Sequence, residues 1–292
     1  METREIVLKS DALTVQIAAP GTVYRGTRFD WSGFITQVTL DGRHTFCVSE
    51  ALDGTGTGGQ GLCNEFGIFD PVGYDEVKAG EWFPKLGVGL LQREDAEPYR
   101  FSRPSPLKPF PVQVSVEGSR AVFVCEPLPC RGYAARVTKA VAVEGARLSV
   151  GCYLENLGEK PLRTSEYCHN FLAFDRQTIG PDYTLRLPFM TEGRVTAPLS
   201  AWGQEITWIH TPERAFYFPM EDEHSEGTKW ELTHRPSGLA MSETVTPGWF
   251  KLTLWGTERV VSPEAFVRID VAPGETKSWQ RDFVFRKTGA GR

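Results

Sequence analysis

Apolar and polar residues alternate along most of this chain, and almost nowhere do they recur at the spacing of a helix. Ala12–Ala18 (ALTVQIA) and Phe34–Leu40 (FITQVTL) alternate, the second ending on the turn pair Asp41-Gly42. Alternation turns one face of a strand to a core and the other to solvent. Val112–Val116 and Ala121–Cys125 flank Glu117 to Arg120, and Arg136–Val143 and Arg147–Leu154 flank Glu144-Gly145-Ala146, so each pair reads as a hairpin. Trp230–Thr233, Phe250–Trp255, Ala265–Val271 and Ser278–Phe285 continue the pattern, the last two around Pro273-Gly274-Glu275. No window keeps the i, i+3, i+4, i+7 spacing for more than a turn or two. The expected fold is all-β, a large antiparallel sandwich.

The chain has 292 residues. Strand pattern continues on both sides of the proline-rich stretch Pro104–Pro111, so one domain over residues 1–292 is expected. A net charge of -5 argues against a nucleic-acid partner, which calls for a basic face. No apolar run approaches the ~20 residues of a membrane-spanning helix, so no membrane partner is expected. METREIVLKS carries early charges and no apolar core, unlike a signal peptide. The six cysteines form no CxxC pair and no zinc spacing with histidine, so a cytoplasmic protein with reduced thiols and no bound metal is expected.

Two stretches lack strand pattern. Gly54–Gly61 (GTGTGGQG) is glycine-rich but has no Lys-Ser/Thr ending, and it reads as a flexible connection rather than a phosphate loop. Glu221–Glu226 (EDEHSE) reads as a solvated acidic loop.

Two short segments carry chemistry. Glu166 to Phe171 (EYCHNF) closes a strand with His169 beside Asn170 in an aromatic setting. Histidine is the usual acid or base near neutral pH, although a single histidine is more often a structural hydrogen-bonder. Ser262 to Phe266 (SPEAF) sets Glu264 at a strand mouth, because Pro263 suits the start of a strand or a bulge. On these residues alone, Glu264 is as readily an exposed edge carboxylate as a buried base whose pKa burial has raised.

The order of several motifs resembles the galactose mutarotase-like (aldose 1-epimerase) family. Lys139–Phe189 is similar to that family's central hairpin, with Leu154-Glu155-Asn156, then His169-Asn170, then Gly180-Pro181-Asp182-Tyr183. Trp255–Phe285 is similar to its C-terminal part, and Arg25 to Asp30 with Gly33-Phe34-Ile35 to its early strand pair. The resemblance implies a supersandwich with a sugar cleft, His169 as general acid and Glu264 as general base. It also implies Arg28 as a substrate-binding residue. The early His-Gly-Gly of the best-known members is absent, and Asn64-Glu65-Phe66-Gly67 stands in that region.

The implied reaction is interconversion of the α and β anomers of a monosaccharide or sugar derivative. It needs only proton transfers, so no cofactor is expected. Lys85 and Asn170 join Arg28 as candidate substrate contacts, and Trp255, Trp82, Phe83 and Trp230 are candidates to stack on a sugar. Three other readings stay open: a carbohydrate-binding sandwich without turnover, an accessory domain, and a hexose-6-phosphate mutarotase with Arg28, Lys85 and Arg93 on the phosphate.

Overall fold

A computed structural model describes residues 4–51, 56–220 and 227–289. The acidic run 221–226, and residues 54 and 55 of the glycine-rich stretch, lie outside the described residues. In chain order the strands begin with β1 (Glu5–Lys9), β2 (Leu13–Ala18), β3 (Phe34–Leu40), β4 (His44–Thr45), β5 (Leu62–Phe66), β6 (Trp82–Lys85) and β7 (Gly89–Gln92). They continue with β8 (Leu107–Pro109), β9 (Val112–Glu117), β10 (Arg120–Cys125), β11 (Ala135–Glu144), β12 (Arg147–Asn156), β13 (Leu162–Asn170) and β14 (Tyr183–Thr196). The rest are β15 (Leu199–Trp208), β16 (Phe216–Met220), β17 (Gly227–His234), β18 (Leu239–Trp249), β19 (Lys251–Gly256), β20 (Val261–Val271) and β21 (Thr276–Lys287).

Two nine-stranded antiparallel sheets account for most of them. One runs β1-β2-β3-β5-β13-β20-β19-β16 with β4 added to β3, and the other runs β15-β14-β17-β18-β21-β12-β11-β10-β9. A three-stranded sheet, β6-β7-β8, stands apart. The expected all-β sandwich is the observed one. Val15, Ile17, Val38, Leu62 and Phe66 of the first sheet share one buried cluster with Val137, Val141, Leu148, Val150 and Leu154 of the second. Period-two alternation produces this, because every second residue of each strand meets the opposite sheet. Among the described residues no helix is long and apolar enough to cross a membrane, and the six cysteines are free.

The expected hairpins hold: β9 pairs with β10, and β11 with β12 from Ala135↔Asn156 to Glu144↔Arg147. The glycine-rich stretch is tied down at its end. Gly61 has φ +67, and a Cβ there would stand 2.1 Å from the Ile35 carbonyl oxygen, so only glycine fits.

Pro263 departs from expectation. It is the third residue of β20, a strand flanked by β13 and β19, rather than its start, and the register with β13 is the same on both sides of it, so it marks no bulge. Regular pairing of β13 with β20 runs from Leu162↔Val271 to Tyr167↔Phe266 and returns as the bridge Leu172↔Val261. Between them side chains take over. The Asn170 backbone N–H donates to Ser262 Oγ at 2.9 Å, and Asn170 Nδ2 donates to the Pro263 carbonyl at 2.7 Å. A residue without an N–H is tolerated where the ladder is already interrupted.

Candidate active site

The interruption in the ladder frames the site. Tyr167↔Phe266 and Leu172↔Val261 share one register, which sets His169 across from Glu264. On the outer sides, Cys63 of β5 lies opposite His169, and Thr253 of β19 opposite Glu264. Cys63, His169, Glu264 and Thr253 therefore form a row across four strands. Two residues along each strand, and hence on the same face, Glu65, Tyr167, Phe266 and Lys251 form the next row.

His169 Nε2 stands 3.2 Å from Glu264 Oε1. His169 is 3% exposed and Glu264 4%. The imidazole stacks on Phe171, ring centroids 3.9 Å apart, and lies nearly perpendicular to the Trp255 ring with centroids 5.3 Å apart. Glu264 Oε2 accepts from Thr253 Oγ1 at 2.8 Å, and Oε1 from Ser262 Oγ at 3.3 Å. His169 Nδ1 is buried without a hydrogen-bond partner.

Burial pushes the Glu264 carboxyl up to about 7. The Thr253 hydroxyl and the charge of Arg28 pull it down, Glu65 pushes it up, and Ser262 pulls it down again. Burial, then the charge of Arg28, holds His169 well below its ordinary range. Burial favours the neutral form of both groups, a carboxyl beside an uncharged imidazole, so the close approach is not an ion pair and the pair's one titratable proton lies on Glu264.

Arg28 and Lys85 are brought together one row away, on a single carboxylate. Arg28 Nε donates to Glu65 Oε2 at 2.8 Å, and Lys85 Nζ to Glu65 Oε1 at 3.2 Å. Arg28 also donates to Thr57 Oγ1 and to the Tyr167 hydroxyl, which itself donates to Glu65 at 2.7 Å. Phe101 covers the guanidinium at 4.2 Å. Lys85 is fully buried, with a further bond to the Gly67 carbonyl. Arg93 stands outside this group. Its N–H groups reach five backbone carbonyls, those of Tyr74, Val77, Asp95, Ala96 and Glu97.

Asn170 is not brought to the pair. Adjacent strand residues face opposite ways, and the Asn170 side chain turns inward to Pro263 and Glu243. It joins a buried network behind the site. Asn64 and Arg281 bond Glu166, Arg281 also bonds Glu243, and Lys139 bonds Asp30 and Asn64. Of the aromatic candidates, Trp255 alone lies against His169. Trp230 is buried with its Nε1 on Glu243, Phe83 packs on Tyr74 and Tyr99, and the Trp82 ring lies under the Lys108 ammonium at 4.0 Å. Sequence reading passed over Thr253, Ser262, Tyr167 and Glu65. Counting by twos from His169 and Glu264 would have reached Tyr167 and Ser262, whereas Thr253 and Glu65 need the register of neighbouring strands. Among the described residues no three of His, Cys, Asp and Glu converge as metal ligands.

No protein-family model matches the chain, and no curated protein matches it in sequence. Solved structures do. The Slr1438 protein of Synechocystis superposes with a TM-score of 0.64 at 14% identity, over 97% of this chain and 96% of that one. A galactose mutarotase-like protein of Lactobacillus casei gives 0.63 at 12%, over 97% and 100%. The GalM/aldose epimerase homologue of C. elegans gives 0.54 at 10%, over 98% and 99%. This chain has the galactose mutarotase-like fold.

Proposed function

We propose that this protein is an aldose 1-epimerase-like enzyme that interconverts the anomers of a free sugar or sugar derivative. The carrying observation is the 3.2 Å approach of His169 Nε2 to Glu264 Oε1, in a buried setting beside Trp255. The hydroxyl on C1 and the ring oxygen share one carbon, so an acid and a base serving both must lie close together.

In ring opening Glu264 takes the C1 hydroxyl proton and His169 gives a proton to the ring oxygen. The C1–ring oxygen bond breaks, the C1 carbonyl forms, and rotation about C1–C2 exposes either face to reclosure. His169 must hold the pair's one titratable proton, as an imidazolium, at the start of this step. Afterwards the proton is on Glu264, where the free protein keeps it. A positioned acid or base contributes about 100- to 10,000-fold. Trp255 offers a face to the sugar, and Thr253 and Ser262 fix the carboxylate.

Exchange NMR of anomeric protons over a panel of free sugars, uronic acids and hexose 6-phosphates tests this. Accelerated α/β exchange for one sugar, lost in Glu264→Gln and in His169→Asn with the fold intact, is the expected result. Full exchange activity in both variants would sink the assignment. Binding without acceleration would favour a carbohydrate-binding protein.

A further inference from the structure

The cations that the sequence nominates for an anionic group are engaged internally: Arg28 and Lys85 on Glu65, Arg93 on five carbonyls. Two others are not. A cleft of 880 Å³ is lined by Glu50, Arg176, Glu213, Arg214, Thr257 and Arg259 among other residues. That volume falls in the range of small-molecule sites, about 300–1,000 Å³. Of its charges, Arg259 is paired with Glu258, and Glu50 accepts from Thr57 and Gly59 and lies 3.8 Å from Arg28. Among the described residues Arg176 and Arg214 have no carboxylate partner, and Glu213 is the remaining acid.

Arg176 reaches the cleft lining from a left-handed turn. Asp175 and Arg176 have φ of +48 and +58, left-handed values that cost a non-glycine residue on the order of 1–2 kcal/mol each. The Asp175 carboxylate holds that turn, bonded to His44 Nδ1 at 2.8 Å and to the Thr45 N–H at 2.9 Å. Strain of this kind concentrates where ligands are held.

The cleft lies one layer of side chains from the pair: Val48 of its lining packs in one cluster with Phe171 and Trp255, and the Phe171 ring stacks on His169. Thr257 follows Trp255 by two residues, about 7 Å of chain, and the Trp255 ring lies 5.3 Å from that of His169. A sugar ring at the pair leaves the cleft to a second ring. Only the reducing-end ring of an oligosaccharide has a free anomeric centre, so that ring must take the place at the pair.

We propose that the cleft is a subsite for an acidic sugar, so that the substrate is an acidic oligosaccharide. Its reducing end lies at His169 and Glu264, and its next ring presents a carboxylate to Arg176 and Arg214. Guanidinium suits this task because its paired N–H groups match a carboxylate. The placement of the reducing end rests on the proposed function; binding in the cleft does not.

Titration calorimetry on Glu264→Gln with digalacturonate, galactobiose and galacturonate tests the subsite apart from turnover. Digalacturonate is expected to bind about tenfold tighter than the other two, the worth of one charged hydrogen bond. The double variant Arg176→Asn/Arg214→Gln is expected to remove that advantage; asparagine tolerates the left-handed backbone. Equal binding of digalacturonate and galactobiose overturns the proposal, as does an advantage that survives the double variant. Galacturonate binding as tightly as digalacturonate places the anion on the first ring and also overturns it. Preferred binding of digalacturonate with no accelerated exchange in wild type upholds the subsite and refutes the epimerase reading.

Discussion

His169 Nε2 and Glu264 Oε1 approach to 3.2 Å across a stretch where side-chain bonds replace the backbone ladder between β13 and β20. The same proline that breaks the ladder stands beside Glu264, and the same asparagine that bridges the gap stands beside His169. Sheet interruption and site formation are one feature. It leaves the two side chains on one face and their neighbours, Asn170 and Ala265, turned into the sandwich.

The proposed reaction needs one titratable proton between the two residues. Burial raises Glu264 to about 7, while His169 is held well below its ordinary range. The one-proton state therefore persists up to about pH 7 and is lost above it, and kcat/KM for anomer exchange should fall about tenfold per pH unit beyond that point. Exchange NMR from pH 5.5 to 8.5 measures this. A rate that rises through pH 7 would mean that ionised Glu264 acts with neutral His169, against the shared proton.

Burying Glu264 also sets how stability depends on pH. Its folded pKa lies above the ordinary value of 4.5, so its contribution is intact below pH 4.5 and lost as pH rises to about 7. A glutamine in its place would not titrate. Glu264→Gln should thus match wild type near pH 4.5 and exceed it by up to about 3 kcal/mol at pH 8. Urea denaturation at the two pH values reads the difference. A variant less stable than wild type at pH 8 would contradict it.

Glu65 is the carboxylate that two buried cations, Arg28 and Lys85, share. Glu65→Gln strands both and should destabilise by about 3–5 kcal/mol. Lys85→Met leaves the Arg28–Glu65 pair balanced and should cost less than half as much. Adding Lys85→Met to Glu65→Gln should recover part of the loss. Denaturant midpoints of the three variants and wild type test this ordering, and a double variant weaker than Glu65→Gln alone would reverse it.

Alternation made the sandwich legible, because each strand buries every second residue. His169 and Glu264 stand out through the resemblance of the motifs around them to the galactose mutarotase-like family, not through alternation. What alternation does not carry is which strands are neighbours. Thr253 and Glu65 act on Glu264 and Arg28 from β19 and β5, 11 and 37 residues away in sequence, and nothing local marks them. Adjacency in sequence also misleads on a strand: Asn170 follows His169 and faces the other way. Arg93 shows a further limit, since its positive charge is visible in the sequence and its capture by five carbonyls is not.

Thr253 tests whether the carboxylate is tuned or merely buried. Its hydroxyl donates to Glu264 Oε2 at 2.8 Å and, after burial itself, has the largest effect on that carboxyl, pulling its pKa down. Valine keeps the shape and removes the donor. A hydrogen bond to a charged group is worth about 1.5–3 kcal/mol, so Thr253→Val should move the alkaline limb of the exchange profile up by about one pH unit or more. The other groups around Glu264, Arg28 from the β2–β3 connection and Glu65, His169 and Tyr167 from strands, stay in place. Loss of activity at every pH with an unmoved limb would make Thr253 a packing residue. A limb displaced upward, with the maximal rate within a few-fold of wild type, would identify it as the residue that holds the base near neutrality.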